Sequence, residues 1–209
     1  MPLYKIIPIN NSTTAYFWHI TEDITGLFRA VSLQDTSLVR LEGMKSEAHQ
    51  KGFLAVRMLL QHLGYTDYDL TYDTAGKPCL SDGKHISISH SHEFSCICIG
   101  DEVMGIDLEK LKEKTLKIAP RFMDVKHLKN LSITEQIEKA TVIWGVKESI
   151  FKIKNEKGIS FPEHIFEDDF CLTDGKCAAE LHFNNTIEKF IIHFYIVEDY
   201  IFVCAFPKK

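Results

Sequence analysis

The chain has 209 residues, 45% of them hydrophobic and 25% charged, which is the composition of an ordinary globular protein large enough to bury a core. Its net charge of −5 argues against a general nucleic-acid-binding protein, because such proteins carry an excess of basic residues. The N-terminus lacks a basic segment followed by an apolar core, and no apolar run reaches the ~18 residues of a membrane span, so we expect a cytoplasmic protein without a membrane partner.

Six cysteines are spread along the chain without a C-x-x-C pair, and the ten histidines show no H-x-x-x-H spacing. Both patterns argue against a zinc site. Cys96 and Cys98 alternate with apolar residues, so we predict that they share one face of a strand as small buried side chains in a reducing compartment.

The first predicted helix follows Ser46, a residue type that often caps helices, and runs to about Leu63. Apolar residues recur along it at helical spacing, and Gly64 supplies the stop. Beyond a turn at residues 75–78, alternating and β-branched residues predict three strands, at residues 86–89, 94–99 and 104–109.

A second predicted helix opens at Ser132 and Glu135, which form a capping-box pattern, and it ends near Lys154. Two runs of strongly β-forming residues follow it, at residues 190–197 and 200–206.

The order of a long helix followed by strands therefore occurs twice in the chain. This order predicts an α+β protein built from two similar halves, residues 1–102 and 103–209. A cleft between two such halves is a natural place for a ligand, so we predict that the active site lies there.

Carboxylates are concentrated at two places in the second half. Asp107 and Glu109 alternate with apolar residues on a predicted strand and so share one of its faces. Glu148 and Lys152 stand one turn apart on the second long helix. Taken singly, each pair is most often the exposed face of its element. Together, three oxygen donors beside a lysine suit a magnesium ion bound to a phosphorylated substrate.

The segment from Lys110 to Lys129 carries seven lysine and arginine residues against two carboxylates, a local charge of +5. A solvent-exposed loop without any binding role explains such a segment as well as a binding role does. If it is functional, it suits an acidic partner protein or phosphate groups.

Four short segments in a fixed order complete the pattern: Gly76-Lys77-Pro78 with Leu80, Ser87-Ile88-Ser89-His90-Ser91, Gly105-Ile106-Asp107-Leu108-Glu109, and residues 144–152. Each alone occurs by chance, but the ordered set resembles the sequence blocks of the 4′-phosphopantetheinyl transferase superfamily. The resemblance covers most of the chain and is greatest to the surfactin-type enzymes, which consist of two similar halves in one polypeptide.

The resemblance implies an activity and a fold. Such enzymes transfer 4′-phosphopantetheine from coenzyme A to a serine of an apo acyl or peptidyl carrier protein, and they release 3′,5′-ADP. It implies the family's tandem fold with a pseudo-twofold axis, a monomer, a Mg²⁺ cofactor, and coenzyme A and the carrier as partners. The segment Lys110 to Lys129 is then the expected contact with the acidic carrier.

The resemblance also implies roles for individual residues. Asp107, Glu109 and Glu148 match the metal ligands. His90 matches the residue that contacts the 3′-phosphate of coenzyme A, and Ser89 lies beside it. Two lysines that face phosphates in the family match Lys77 and Lys152.

Two positions depart from the family pattern. His127 stands where many relatives have a carboxylate proposed to take the proton of the carrier serine, so His127, Glu148 and Lys152 are three candidates for the base. Gln50 stands where relatives commonly have an arginine, a role that Lys45 or Lys51 would take over.

These departures keep two other functions open. One is a catalytically impaired relative that binds coenzyme A or a carrier without transferring anything. The other, suggested by the carboxylates alone, is an unrelated magnesium-dependent phosphohydrolase.

Overall fold

The structure is a computed structural model that describes residues 3–209. Two compact units make up the chain, the first ending at Glu102 and the second comprising Val103–Lys209. Both contain helices and antiparallel strands, so the protein is α+β as predicted. Among residues 3–209, no helix combines the length and hydropathy that crossing a bilayer requires.

Within residues 3–102, the first unit contains a four-stranded antiparallel sheet, a small hairpin and three α-helices. In chain order its elements are β1 (Leu3–Asn10), β2 (Thr13–His19), α1 (Ile24–Ala30), α2 (Asp35–Glu42), α3 (Glu47–His62), a 3-10 turn (Asp67–Asp69), β3 (Leu70–Tyr72), β4 (Pro78–Leu80), β5 (His85–Ser91) and β6 (Phe94–Gly100). The sheet order is β1-β2-β6-β5, and β3 pairs with β4.

Helix α3 confirms the first predicted helix. It packs against β2 and β6 with Ala55, Leu59 and Leu60, none of which is exposed to solvent. Ser46 occupies the N-cap position but makes no capping hydrogen bond with its side chain. Gly64 follows the helix with φ +84°, a left-handed conformation that glycine adopts at no steric cost.

Strand β6 is buried along its whole length. Cys96 and Cys98 have no exposed surface, which confirms that they are small buried side chains. The sequence predicts no element at residues 3–19, which form the β1–β2 hairpin. Five of the eight β1 residues are exposed, because β1 is an edge strand, and this weakens the alternation that marks a strand.

The second unit has a five-stranded antiparallel sheet covered by one long helix. Its elements are β7 (Gly105–Lys110), α4 (Lys114–Ile118), two 3-10 turns (Ala119–Arg121 and Val125–Leu128), α5 (Ile133–Lys154), α6 (Phe161–His164), β8 (Ile165–Glu167), a 3-10 turn (Leu172–Asp174), β9 (Lys176–Phe183), β10 (Thr186–Val197) and β11 (Tyr200–Pro207). The sheet order is β7-β11-β10-β9-β8, so β7 and β8 are its two edges.

Helix α5 begins with the predicted capping box. The Ser132 hydroxyl accepts a hydrogen bond from the Glu135 amide at 3.3 Å, and the Glu135 carboxylate accepts one from the Ser132 amide at 2.8 Å. The helix ends at Asn155, whose φ of +50° turns the chain out of the helical conformation.

Two glycines let α5 lie directly against the sheet. A Cβ atom on Gly105 of β7 would clash with the carbonyl oxygen of Ser149, and one on Gly145 would lie 2.5 Å from Cγ2 of Val203 in β11. Any larger residue at either position would push the helix and the strands apart. The backbone of α5 is therefore held close to β7 and β11.

The two units share a connection pattern. In each, the strand before the long helix pairs with the last strand of the unit, β2 with β6 and β7 with β11. In each, the long helix packs on that pair of strands.

A buried ion pair attaches α5 to the β8 edge. The Nζ atom of Lys147 lies 2.7 Å from Oε2 of Glu167 and donates a hydrogen bond to the Ile165 carbonyl at 2.6 Å. The two charged side chains are 2% and 4% exposed. Burial lowers the pKa of Lys147, and the charge of Glu167 opposes that effect.

Replacing Glu167 with leucine should destabilise the protein by about 3–5 kcal/mol, because it leaves the Lys147 ammonium buried without its counter-charge. The double variant K147M/E167L should recover most of the loss, since it removes both charges. Urea unfolding at neutral pH measures both. The control is Glu180→Leu, which removes the partner of the exposed Lys189 and should cost at most about 1 kcal/mol. An equal cost for E167L and E180L would contradict the prediction.

Candidate active site

An acidic face lies on β7 where that strand meets α5. Asp107 and Glu109 pair in register with Val203 and Ile201 of β11, and both of those residues belong to the core packed beneath α5. The side chains of two residues that pair across neighbouring strands point to the same side of the sheet. The two carboxylates therefore point toward the helix. Asp107 is 4% exposed and Glu109 is half-buried.

Lys152 of α5 reaches this acidic face. Its Nζ atom donates hydrogen bonds to Oδ1 of Asp107 at 2.9 Å and to the carbonyl oxygen of Ile106 at 2.8 Å. Glu148 lies one turn earlier on the helix, and its carboxyl interacts with both Asp107 and Lys152. The structure therefore brings together the four residues that the sequence predicts at the metal and phosphate end of the site.

Burial and the charge of Asp107 raise the pKa of Glu109 and of Glu148. The pKa of Glu109 rises to about 7, while Lys152 and a hydrogen bond from Trp144 oppose the rise. The ammonium of Lys152 is thus insufficient to balance the group, and the site has an excess of negative charge.

An added cation would relieve this excess. Within residues 3–209, no three His, Cys, Asp or Glu side chains are already assembled around a point where an ion would sit. By chemistry, Asp107, Glu109 and Glu148 are the residues able to hold a hard cation, because all three offer the oxygen donors that Mg²⁺ prefers.

Trp144 has a role in this group that the sequence does not predict. Its ring packs edge-on against Phe122 and Phe161, at centroid distances of 5.1 and 5.6 Å, as a packing residue would. Its side chain also hydrogen-bonds Glu109. The sequence feature that indicates this role is spacing, because residues 144, 148 and 152 follow one face of α5 at one-turn intervals.

In the first unit, His90 and Ser89 lie near the end of β5. His90 is exposed and its ring lies 5.1 Å from that of His49 on α3, while Ser89 is 8% exposed. A Cβ atom on Gly52 would lie 3.0 Å from the His90 ring, so the missing side chain of Gly52 leaves room for His90 against the helix.

Three other predicted residues of this unit lie apart from β5 in the chain. Lys77 is half-buried in the turn before β4, where its amide donates a hydrogen bond to Asp73 at 2.8 Å. Lys51 forms an ion pair with Glu47 at 3.2 Å on the surface of α3. Lys45 is exposed just before α3.

The chain is similar in sequence to several characterised enzymes, although no family model matches it. It is 31% identical to the 4′-phosphopantetheinyl transferase Sfp of Bacillus subtilis (strain 168) over 150 residues, 66% of this chain and 65% of Sfp. It is 29% identical to the 4′-phosphopantetheinyl transferase ffp of Bacillus subtilis over 178 residues, 79% of this chain and 77% of ffp. The chain is therefore similar in sequence, at about 30% identity, to several enzymes named 4′-phosphopantetheinyl transferase.

The similarity is to the surfactin type within this transferase superfamily. A third relative, the 4′-phosphopantetheinyl transferase gsp of Aneurinibacillus migulanus, is 32% identical over 94 residues, 44% of this chain and 39% of gsp. The match to Sfp spans 65% of that enzyme, which is slightly less than two thirds of its length.

The two departures from the transferase pattern have defined surroundings. His127 lies in the 3-10 turn Val125–Leu128 with its ring nitrogens 3.9 Å from Glu167 and 3.7 Å from Asp169, on the β8 side of the sheet. Because β7 is the opposite edge, these contacts do not bring His127 to the acidic face. Its role as base stays a prediction that the contacts do not support. The amide of Gln50 donates to the carbonyl of Met44 at 3.1 Å.

Replacing Glu109 with glutamine should stabilise the metal-free protein at pH 8. The folded-state pKa is raised to about 7, so the unfolded chain loses this proton near pH 4.5 while the folded chain keeps it. The proton on Glu109 stabilises the folded state fully below pH 4.5, and this stabilisation is lost as the pH rises to about 7. Thermal melting in EDTA should give E109Q a higher Tm than the wild type at pH 8 and a nearly equal Tm at pH 4.5.

The matched control is Glu135→Gln. Hydrogen bonds from Ser132 lower the pKa of Glu135, so its charged form stabilises the protein at neutral pH and that contribution is lost as the pH falls. E135Q should therefore melt below wild type at pH 8, the opposite direction. An E109Q protein that also melts below wild type at pH 8 would show that the Glu109 charge is not a destabilising one.

Proposed function

We propose that the protein is an active 4′-phosphopantetheinyl transferase that moves phosphopantetheine from coenzyme A to a serine of an apo acyl or peptidyl carrier protein. One observation carries the proposal: Asp107, Glu109, Glu148 and Lys152 gather between β7 and α5 in a chain related to several such transferases. The related chains supply the reaction class, and the acidic group supplies equipment that the reaction needs.

The reaction replaces the phosphoanhydride bond of the coenzyme A diphosphate with a phosphoester bond to the carrier serine. The carrier serine Oγ attacks the phosphorus that bears the pantetheine, the bond from that phosphorus to the bridging oxygen breaks, and 3′,5′-ADP leaves with the electron pair. Catalysis of such a transfer requires mainly positioning and the stabilisation of charge on phosphate oxygens.

In the second unit, we propose that Asp107, Glu109 and Glu148 hold Mg²⁺. When bound, the ion would neutralise negative charge on the diphosphate of coenzyme A. The raised pKa of two of these carboxyls supports the assignment, because they lack sufficient positive charge nearby. Since the three are not preassembled around an ion, binding would draw them closer together. Lys152 would move from Asp107 to a phosphate oxygen.

We propose Glu148 as the acceptor of the serine proton. Its carboxyl interacts with Asp107 and Lys152 at the place proposed for the diphosphate, so it can take the proton that the attacking hydroxyl gives up. Lys152 already donates hydrogen bonds to Asp107 and to the Ile106 carbonyl, so we assign it to the binding of negative charge and not to accepting the proton. The contacts of His127 are on the β8 side.

In the first unit, His90 would contact the 3′-phosphate of coenzyme A, with Ser89 beside it. Lys77 would face a phosphate of the same substrate. Lys45 and Lys51 are the cations available for the role that an arginine has in relatives. Lys45 is exposed, and Lys51 is paired only with the exposed Glu47, so both can turn toward an anion at little cost.

The proposal includes the setting of the enzyme: a cytoplasmic monomer whose two halves are related by a pseudo-twofold axis. The shared pairing of the pre-helix strand with the last strand supports the relationship between the halves.

A second candidate is a relative that binds coenzyme A without transferring the arm. Two observations favour it: Gln50 uses its amide on Met44, and His127 is engaged on the β8 side. Calorimetric binding of coenzyme A together with no product on any carrier would select this candidate.

Incubation with coenzyme A, Mg²⁺ and apo carrier should add one phosphopantetheine to the carrier, seen as a mass increase. Asp107→Ala should lower kcat/KM by about 100-fold or more, because it removes charge stabilisation at the reacting phosphate. The control Asp199→Asn alters an exposed carboxylate paired with Lys110 and should leave the rate unchanged. Transfer by D107A at the wild-type rate would overturn the metal role of Asp107, and transfer to none of several unrelated carriers would overturn the proposal itself.

The basic segment Lys110 to Lys129 is proposed to contact the carrier. Lys112, Lys114 and Lys117 of this segment are exposed on the protein surface. Reversing all three to glutamate should raise KM for the carrier at least about tenfold and leave KM for coenzyme A unchanged. The same charge change at the exposed Lys176, Lys189 and Lys208 is the control. Equal effects of the two triple variants would show that only net charge matters.

A further inference from the structure

A cleft of about 700 Å³ opens in the second unit on the side away from β7. One wall runs from the 3-10 turn Val125–Leu128 into the first two turns of α5, and the other consists of residues 169–173, which follow β8. Its volume is within the range of sites that bind small molecules, about 300–1,000 Å³.

The charged side chains of the cleft favour an anion. Lys126 and Lys129 are exposed at its rim, and Lys139 lies inside with 9% of its side chain exposed. The two carboxylates among its lining residues are Asp169 and Glu135, and Glu135 already accepts the hydrogen bonds of the capping box. Three lysines against two acids give the lining residues a formal charge of +1, and Lys126 also pairs at 3.4 Å with the exposed Asp124 beside the cleft.

Asp169 occupies a place that a ligand anion can take. Its Oδ1 lies 2.9 Å from Nζ of Lys139 and 3.7 Å from Nδ1 of His127, yet its side chain is 79% exposed. An exposed carboxylate loses little by turning into water. A bound anion would then meet the buried ammonium of Lys139 in its stead.

The cleft also has an apolar part. Phe170, which is 7% exposed, lies beneath Lys139 with the Nζ atom 5.0 Å from its ring centroid. Leu131 and Leu172 are half-buried and line the same cleft. Charged rim groups above an apolar floor match a ligand that has one anionic end and one apolar body.

The cleft is separate from the acidic face. Asp169 follows β8, and four strand spacings of about 4.8 Å separate β8 from β7 across the sheet, roughly 19 Å. The two places also differ in sign, since one has an excess of carboxylates and the other an excess of lysines. The cleft therefore lies apart from the proposed metal site, although its rim residues Lys126 and Lys129 also end the segment proposed to contact the carrier.

We propose that this cleft is a second ligand site, which binds a small amphipathic anion whose carboxylate or phosphate group is carried on an apolar chain or ring. Lys126, Lys129 and Lys139 bind the anionic oxygens, and Leu131, Phe170 and Leu172 contact the apolar body.

Amide NMR titration of the ¹⁵N-labelled full chain tests the proposal with four probes: octanoate, octyl phosphate, inorganic phosphate and octanol. Octanoate or octyl phosphate should shift the amides of residues 126–131 and 169–173 with a submillimolar Kd, and the tighter of the two identifies the anionic group. Inorganic phosphate has the charge alone and octanol the apolar body alone, so each should bind at least ten times more weakly.

The variant K126E/K129E should weaken binding of the better probe at least tenfold, and both residues are exposed, so the fold is kept. K176E/K208E makes the same charge change at exposed positions elsewhere and should leave the affinity unchanged. The proposal is overturned if neither amphipathic probe shifts the cleft amides. It is equally overturned if phosphate or octanol binds as tightly as they do, or if K126E/K129E binds like wild type.

Discussion

The close approach of α5 to β7 is the constraint on which the acidic site depends. Gly105 and Gly145 leave no side chain between the helix backbone and the strands, so Lys152 can reach Asp107 and the Ile106 carbonyl at hydrogen-bonding distance. A larger residue at either glycine would separate the two elements and lengthen these contacts. The geometry of the site thus rests on two positions that themselves carry no chemistry.

The charges of the acidic site destabilise the folded protein. Burial and the charge of Asp107 raise the pKa of Glu109 and Glu148, which means that their charged forms destabilise the folded protein. Natural proteins tolerate such costs where function needs them, and a bound cation and a phosphorylated substrate would reverse the balance. The buried pair of Lys147 and Glu167 differs, because each charge there has its partner within 2.7 Å.

Helix α5 therefore carries charges toward both edges of one sheet. Glu148 and Lys152 interact with the acidic face on β7, whereas Lys139 and Lys147 pair with Asp169 and Glu167 on the β8 side. This separation follows from helical geometry, since adjacent residues such as 147 and 148 point about 100° apart. One helix thereby borders both the proposed active site and the proposed anion cleft.

The amino-acid sequence by itself determined the features that depend on near neighbours: the capping box at Ser132, the glycine stop at Gly64, and the alternation that places Asp107 and Glu109 on one strand face. It also allowed Glu148 and Lys152 to be selected through their resemblance to a known family. Only the tertiary structure decided that Trp144 hydrogen-bonds Glu109 and that His127 lies beside Glu167 and Asp169. Those contacts join residues far apart in the chain, and local patterns do not encode which strand edge a turn will pack against.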